Sequence, residues 1–205
     1  RGCAVTPKEN FINDVSLLAD GSFFVSHMYD YDFSINDFLT VAITEQDTGY
    51  VMHWDQKNGF SEVTGTEGAQ PNGIAYDEEQ GLLYVAFNLS DRVVVIDLDS
   101  AKTLHSFSLN APDNLVLKDG SLWVTNLDHE ILDVLSCEDK RPCALPFTVT
   151  ELDATTFDSL NSWSFSLEPF GLPSVALPLG NEILIGSFHS NRLAFFSIGT
   201  NATDL

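Results

Sequence analysis

The sequence predicts an all-β protein, a β-propeller of the six-bladed type with about four blades inside these 205 residues. A hairpin of two β-rich strands occurs four times, starting near residues 12, 71, 112 and 173. The mean spacing of about 54 residues is close to that of propeller blades with added loops. Each copy also has a polar residue at its entrance, a regularity that a β-sandwich of equally short strands would not show.

The first strand of each copy opens on polar residues and continues with an alternating pattern, which indicates a half-buried strand. The openings are Ile12-Asn13-Asp14-Val15, Pro71-Asn72-Gly73-Ile74, Pro112-Asp113-Asn114-Leu115 and Pro173-Ser174-Val175-Ala176. Glycine-containing turns follow at 19–21, 78–81, 118–120 and 179–181. Returning strands rich in β-branched and aromatic residues are predicted at 22–26, 82–86, 121–125 and 182–186. Because the turns are short, each hairpin is antiparallel.

Third strands are predicted at 49–54, 92–98 and 192–198, so each blade has three or four strands. No segment shows a sustained helical period, and no helix is predicted. Residues 1–205 are expected to form a single propeller domain or the C-terminal part of one. Four blades of a six-bladed ring would leave open sheet edges, and the chain lacks an initiator methionine. We therefore expect a piece of a longer propeller.

The composition is strongly acidic, with 30 Asp and Glu against 9 Lys and Arg and a formal net charge of −21. Such a surface repels phosphate backbones and anionic lipids, which argues against nucleic acid as a partner. No apolar stretch approaches the ~18 residues that a membrane span needs. We expect a monomer without a membrane span, whose carboxylates are mostly solvated and in part available to cations.

The three cysteines leave two states open. Cys137 and Cys143 flank a short polar loop and either form a disulfide or remain free buried thiols, while Cys3 is left over. The localisation stays open, with a periplasmic or secreted protein favoured.

The polar residues at the blade entrances offer hard oxygen ligands. The first strand of every propeller blade lines the central channel, so Asn13, Asn72, Asp113 and Asn114 are expected to converge on one end of it. Carboxylate and amide oxygens suit calcium, whereas zinc prefers nitrogen and sulfur. The competing interpretation is that Asn-Asp, Asn-Gly and Asp-Asn are ordinary turn dipeptides.

These openings resemble the metal-binding positions of calcium-dependent paraoxonases and arylesterases, and of the senescence-marker-protein and gluconolactonase family. The stretch 172–176 together with 183–189 is similar to the last blade of paraoxonases. The resemblance implies that Asn13, Asn72, Asp113 and Asn114 hold a channel calcium, with Ser174 beside it. It also implies a hydrolase of small esters or lactones. A further metal-binding glutamate of both families, and a histidine pair of the paraoxonases, have no counterpart in this chain.

Three histidines are candidates for proton transfer, because they follow returning strands expected to end at the channel rim: His27, His129 and His189. The alternative for each is a solvated loop histidine. The predicted substrate rim comprises Asp14, Met28, Tyr29, Phe87, Asn126, Ser174 and Phe188. Its aromatic and apolar members would suit an apolar ester or lactone, or else simply pack between blades.

The sequence contains no Gly-x-Ser-x-Gly elbow, His-Glu-x-x-His pair or phosphate-binding glycine loop. Metal-assisted hydrolysis is therefore the enzymatic route that it supports. A second hypothesis is a non-catalytic binding platform, since 83–88 leading into 93–98 also resembles the YVTN-type repeat of surface propellers. A third is a metal-free protein similar to strictosidine synthase, in which the oxygen ligands would be idle.

Overall fold

The computed structural model describes residues 2–128, 132, 133, 136, 137, 143–166 and 170–198. These residues form four antiparallel sheets, the blades of a β-propeller fold, and the predicted fold class is thereby confirmed. The chain divides into two compact units, residues 1–112 (unit 1) and 113–205 (unit 2). The number of blades in a complete ring stays a prediction.

Unit 1 contains two four-stranded sheets. The first consists of β1 (Asn10–Leu17), β2 (Phe23–Asp30), β3 (Tyr50–Asp55) and β4 (Gly59–Glu62), and helix α1 (Ile35–Thr44) lies between β2 and β3 in the chain. The second consists of β5 (Pro71–Asp77), β6 (Leu82–Phe87), β7 (Arg92–Asp97) and β8 (Lys102–Ser108), with a short 3-10 turn at Asn88–Ser90. Strands follow one another in sheet order, as consecutive hairpins require.

The remaining two sheets follow the same order. The third contains β9 (Pro112–Lys118), β10 (Ser121–Leu127), β11 (Phe147–Asp153) and β12 (Ser159–Phe165), with β9 beginning at the boundary between the units. The fourth contains β13 (Pro173–Leu179), β14 (Glu182–Ser187) and β15 (Ala194–Ser197). Apolar side chains from both sheets form one core within unit 2, which includes Trp123, Phe147 and Ile183. A corresponding core in unit 1 joins Phe24 and Val51 to Ile74 and Leu83.

Helix α1 was not predicted. Its N-terminus is a capping box, because Ser34 Oγ accepts a hydrogen bond from the Asp37 backbone N–H and the Asp37 carboxylate accepts one from the Ser34 N–H. The helix ends at Glu45, which has a left-handed φ of 53°. Its apolar residues do recur at helical spacing, at Ile35, Phe38, Leu39 and Ala42, although Val41 is its one buried residue. No described helix is long and apolar enough to cross a membrane.

Strand β2 is also longer than predicted. The sequence pattern placed its end at Ser26, but the strand continues to Asp30 because His27 pairs with Tyr50 of β3. His27 and Met28 are therefore strand residues rather than loop residues at the rim, and both side chains are buried.

Candidate functional site

Two of the predicted metal-binding residues, Asn13 and Asn72, lie at bulges in the innermost strands of unit 1. In β1, Ile12 pairs with His27 and Val15 pairs with Val25, so Asn13 and Asp14 together face one residue of β2. The entrance to β5 has the same irregularity between Pro71 and Ile74, where Asn72 and Gly73 lie. A bulge adds a residue and redirects its neighbours' side chains. In unit 2, β13 is bulged at the corresponding step, at Ser174 between Pro173 and Val175.

In unit 1, the bulge of β5 buries Asn72, which is only 6% exposed. Its Oδ1 atom is buried and receives no hydrogen bond from the described part of the chain. Leaving such an acceptor unsatisfied costs about 1–3 kcal/mol. Gln70 is also buried and has an unsatisfied Oε1. Gln70 was missed in the sequence, where nothing distinguishes it from a loop residue.

In unit 2, Asn114 also has a side-chain oxygen without a hydrogen-bond donor. Its Nδ2 donates a hydrogen bond of 2.8 Å to Ser174 Oγ, which leaves Oδ1 as the free end of the amide. That oxygen is buried and has no donor within the residues that the structure describes. Asp113, the preceding residue, is buried as well. Ser174, predicted to lie beside the metal ligands, therefore contacts one of them directly.

In β1, the neighbours Asn13 and Asp14 differ in how their oxygens are used. Asp14 accepts hydrogen bonds from the Val15 N–H through Oδ1 (2.8 Å) and from the Ile74 N–H through Oδ2 (2.9 Å). Burial raises the pKa of Asp14 above its ordinary value, and these two backbone bonds oppose that effect. Asn13 is exposed, and its Nδ2 lies 2.9 Å from Met28 Sδ, a weak acceptor. Asn13 is thus the residue of this pair with an oxygen available to a ligand.

Neighbouring innermost strands are joined by side-chain bonds between residues 60 positions apart. In unit 1, Asp14 and Ser16 of β1 accept from the backbone N–H groups of Ile74 and Tyr76 in β5. In unit 2, Asn114 and Lys118 of β9 donate to Ser174 Oγ and to the Pro178 carbonyl in β13. These bonds fix the strand entrances, where the candidate ligands lie.

The structure describes two of the three predicted catalytic histidines, and His129 lies outside the described residues. His27 is 2% exposed, and its Nε2 lies 3.3 Å from Asp30 Oδ1. Burial, partly opposed by the Asp30 carboxylate, holds the pKa of His27 below its ordinary value. His189 is half-buried, and its Nε2 atom is buried without a partner among the described residues.

The predicted substrate rim is largely buried. Met28, Phe87 and Asn126 lie inside strands with little exposed surface, and Asn126 Oδ1 accepts a hydrogen bond from Thr150 Oγ1. Phe188 is exposed, and Tyr29 is half-buried. Burial raises the pKa of the Tyr29 hydroxyl. The rim roles of all these residues stay predictions.

A disulfide in unit 2 supports the segment that leads to Ser174. Cys137 and Cys143 are bonded, with their Cα atoms 5.6 Å apart, and both pack against Leu172. The preceding residue, Gly171, approaches the loop so closely that an added Cβ would lie 2.0 Å from the Cys143 carbonyl oxygen. Ser187 Oγ and Ser190 Oγ both donate to the Gly171 carbonyl. The entrance to β13 is therefore held from two sides.

The described residues contain no group of three or more His, Cys, Asp or Glu side chains arranged to hold a metal ion. The predicted ligand set is of a different kind, with three asparagine amides and the single carboxylate of Asp113. Amide and carboxylate oxygens together are a donor set that calcium accepts. The two buried, unsatisfied amide oxygens fit that requirement.

Comparisons with known proteins support the fold. Hydrazine synthase from Kuenenia stuttgartiensis is similar to this chain with a TM-score of 0.59 and 15% identity, over 97% of this chain and 48% of that one. A luciferin-regenerating enzyme matches with a TM-score of 0.57 and 13% identity, over 97% and 58% of the two chains. A protein of unknown function from Bacteroides caccae matches with a TM-score of 0.56 and 14% identity, over 94% and 65%.

This chain spans less than two thirds of each of those structures. At such low identities the similarity shows the fold and does not transfer a function. No family model matches the sequence, and no curated protein matches it in sequence.

Proposed function

We propose that this chain belongs to a calcium-dependent hydrolase of small esters or lactones. One observation carries the proposal. At the entrance of a blade in each unit, an asparagine has a buried side-chain oxygen with no donor among the described residues, Asn72 in unit 1 and Asn114 in unit 2.

In either unit, a bound cation would remove the energetic cost of the unsatisfied oxygen. Buried acceptors are almost always satisfied in folded proteins, so an unsatisfied amide oxygen next to a strand entrance in each unit calls for a ligand. Calcium binds about six to eight oxygens and accepts amide carbonyls. Asn13 in unit 1 and Asp113 in unit 2 are further candidate oxygen ligands, and the net charge of −21 favours cation binding.

When bound, calcium would polarise the substrate carbonyl and stabilise negative charge on its oxygen. The chain's own residues would position the ligands and move the proton. The hydrogen bond to Ser174 keeps the Asn114 oxygen in place. His27 has a lowered pKa but is buried within β2. The half-buried His189, whose Nε2 has no partner among the described residues, is therefore the better candidate for proton transfer.

Two of the similar proteins are by their names enzymes, hydrazine synthase and the luciferin-regenerating enzyme. They support an enzymatic use of the fold, and their names say nothing of calcium or of esters.

An assay of hydrolysis, with and without a calcium chelator, tests the proposal. The substrates are phenyl acetate and a small lactone, and the natural full-length protein is used. We expect chelation to abolish hydrolysis and calcium to restore it. Asn114→Ala should raise the calcium concentration for half-maximal activity about tenfold or more, the equivalent of about 1.4 kcal/mol. Asn161→Ala is the matched control, since Asn161 is exposed and bonds to Glu151 far along its sheet.

Hydrolysis that persists in chelator, or an equal effect of the two substitutions, would contradict the proposal. Calcium binding without hydrolysis of any ester or lactone would favour the binding-platform hypothesis.

A further inference from the structure

Four aromatic side chains at one end of the first sheet form a continuous stack, here called the aromatic ridge. Phe33 stacks on Tyr29 with ring centroids 4.6 Å apart, Tyr29 stacks on Phe11 at 5.1 Å, and Phe11 meets the edge of Tyr31 at 5.5 Å. The outer rings are accessible, since Phe11 is 38% and Tyr31 is 67% exposed. The rings in the core of unit 1 are buried, whereas these outer rings are exposed, so the aromatic ridge is not part of that core.

A cavity of about 330 Å³ adjoins the aromatic ridge and shares Phe33 with it. Four carboxylates line this cavity, and no lysine or arginine does. They belong to Asp30, Asp32, Asp37 and Asp47. The aromatic ridge and the acidic cavity therefore form one continuous surface in unit 1.

No lysine or arginine lines the cavity to balance its carboxylates. Asp37 accepts hydrogen bonds from the Ser34 hydroxyl and N–H, which lower its pKa. Asp30 faces His27, whose lowered pKa leaves it neutral near pH 7. Asp32 and Asp47 have no side-chain hydrogen bond or ion pair with any described residue. The surface thus presents negative charge without a neighbouring lysine or arginine beside a row of aromatic rings.

This combination selects a guanidinium group over other cations. Guanidinium is planar, stacks on aromatic rings and bonds carboxylates through paired N–H groups. A metal ion is a poorer match, because the described carboxylates do not gather into a group of three that could hold one. Lysine has the same charge but lacks the flat surface for stacking.

The length of the surface favours a peptide over a small molecule. The aromatic ridge spans three successive ring contacts of about 5 Å each, and an extended peptide advances about 3.3 Å per residue. Four or so residues would cover the ridge while one side chain enters the cavity. We propose that the aromatic ridge and the acidic cavity dock an extended, arginine-bearing segment of another protein. This inference is independent of the proposed hydrolase activity.

Fluorescence anisotropy with a dye-labelled peptide of alternating arginine and glycine, at physiological salt, tests the proposal. The same peptide with citrulline, a neutral analogue of arginine, or with lysine provides the comparison. We expect the arginine peptide to bind at least about tenfold more tightly than the citrulline peptide and about threefold more tightly than the lysine peptide. Equal binding of arginine and lysine peptides would overturn the proposal.

Paired variants separate this surface from the overall charge. Asp32→Asn with Asp47→Asn should weaken arginine-peptide binding about tenfold. Glu79→Gln with Asp99→Asn removes the same charge from exposed positions elsewhere in unit 1 and should change binding less than about twofold. Equal losses in the two double variants would overturn the proposal.

A further pair of variants tests how much the aromatic rings contribute to peptide binding. Phe33→Leu should weaken binding about fivefold, whereas Phe60→Leu, which removes a ring packed on Phe23 in the same sheet, should leave it unchanged. Thermal unfolding of every variant confirms that it is folded. Free arginine amide binding as tightly as the peptide would contradict docking of an extended segment.

Discussion

The two units join their innermost strands at the same spacing but with opposite chemistry. In unit 1, side chains of β1 accept hydrogen bonds from the backbone of β5, through Asp14 and Ser16. In unit 2, side chains of β9 donate to β13, through Asn114 and Lys118. The same strand contact is therefore made by a half-buried carboxylate and a hydroxyl group in unit 1, and by an amide and an ammonium group in unit 2.

This difference determines which oxygens remain for a ligand. Both oxygens of Asp14 are engaged by backbone N–H groups, so that carboxylate serves the strand contact. Asn114 uses its nitrogen for the strand contact and keeps its oxygen unsatisfied. Because Asn114 is a donor in the strand contact of unit 2, its oxygen remains available to a ligand. Asp14 is the acceptor in the corresponding contact of unit 1, so neither of its oxygens does.

The largest expected effects come from glycines at the closest backbone approach in each unit. A Cβ at Gly49 would lie 1.9 Å from the His27 carbonyl oxygen, and one at Gly171 would lie 2.0 Å from that of Cys143. Because backbone must move in both cases, we expect Gly49→Ala and Gly171→Ala each to reduce the free energy of unfolding by about 3 kcal/mol. Urea denaturation measures the change. Gly2→Ala, with open space around the added carbon, should have no effect.

The strand contacts themselves should differ in strength between the units. Asp14→Ala leaves the N–H of buried Ile74 without its acceptor and should cost about 2–3 kcal/mol. Asn114→Ala removes a bond to a serine hydroxyl, which can rotate to another partner, and should cost about 1 kcal/mol. Denaturation in the presence of a calcium chelator measures both without a contribution from metal. Equal costs would show that the chemistry of the contact does not matter.

The smallest expected effect is the change of folding stability with pH, which should have opposite signs for Asp14 and Asp153. Burial raises the pKa of Asp14, so the folded state binds its proton more tightly than the unfolded chain does. Its contribution to stability should therefore fall as pH rises from about 3.8 through the raised folded pKa. Asp153 in unit 2 has a lowered pKa because the Thr156 and Thr155 N–H groups bond it. Its contribution should instead be lost as pH falls below about 3.8.

Comparing the pH profiles of Asp14→Asn and Asp153→Asn with that of the parent chain checks both signs. The parent should lose stability relative to Asp14→Asn as pH rises, and relative to Asp153→Asn as pH falls. Profiles of the same sign would refute the assignment of burial as the cause at Asp14.

The repeat was predictable because its signals are local. Turns such as Asp20-Gly21 and Asp119-Gly120 and the β-rich runs beside them are determined within a few residues, so the four hairpins could be identified. Helix α1 was missed because its ten residues are a short run between β-rich segments. Two signals could have indicated it, the capping box of Ser34 and Asp37 and the helical spacing of Ile35, Phe38 and Leu39.

Properties that depend on tertiary packing could not be predicted. The choice of Asn72 and Asn114 as candidate ligands came from their position in the repeat, but their unsatisfied oxygens depend on which donors the fold brings near. The end of β2 was misplaced because its last residues are held by pairing with β1 and with Tyr50 of β3. The close approach of Gly171 to Cys143 likewise joins segments separated by a loop.

Calorimetric titration of calcium into the chain and into Asn72→Leu tests the central claim most directly. Leucine has nearly the shape of asparagine but no acceptor, so it removes the unsatisfied oxygen without a large cavity. We expect the parent chain to bind calcium and the variant to bind at least about tenfold more weakly, while the variant is at least as stable as the parent in chelator. Equal calcium affinity of the two, or no binding by either, would contradict the account.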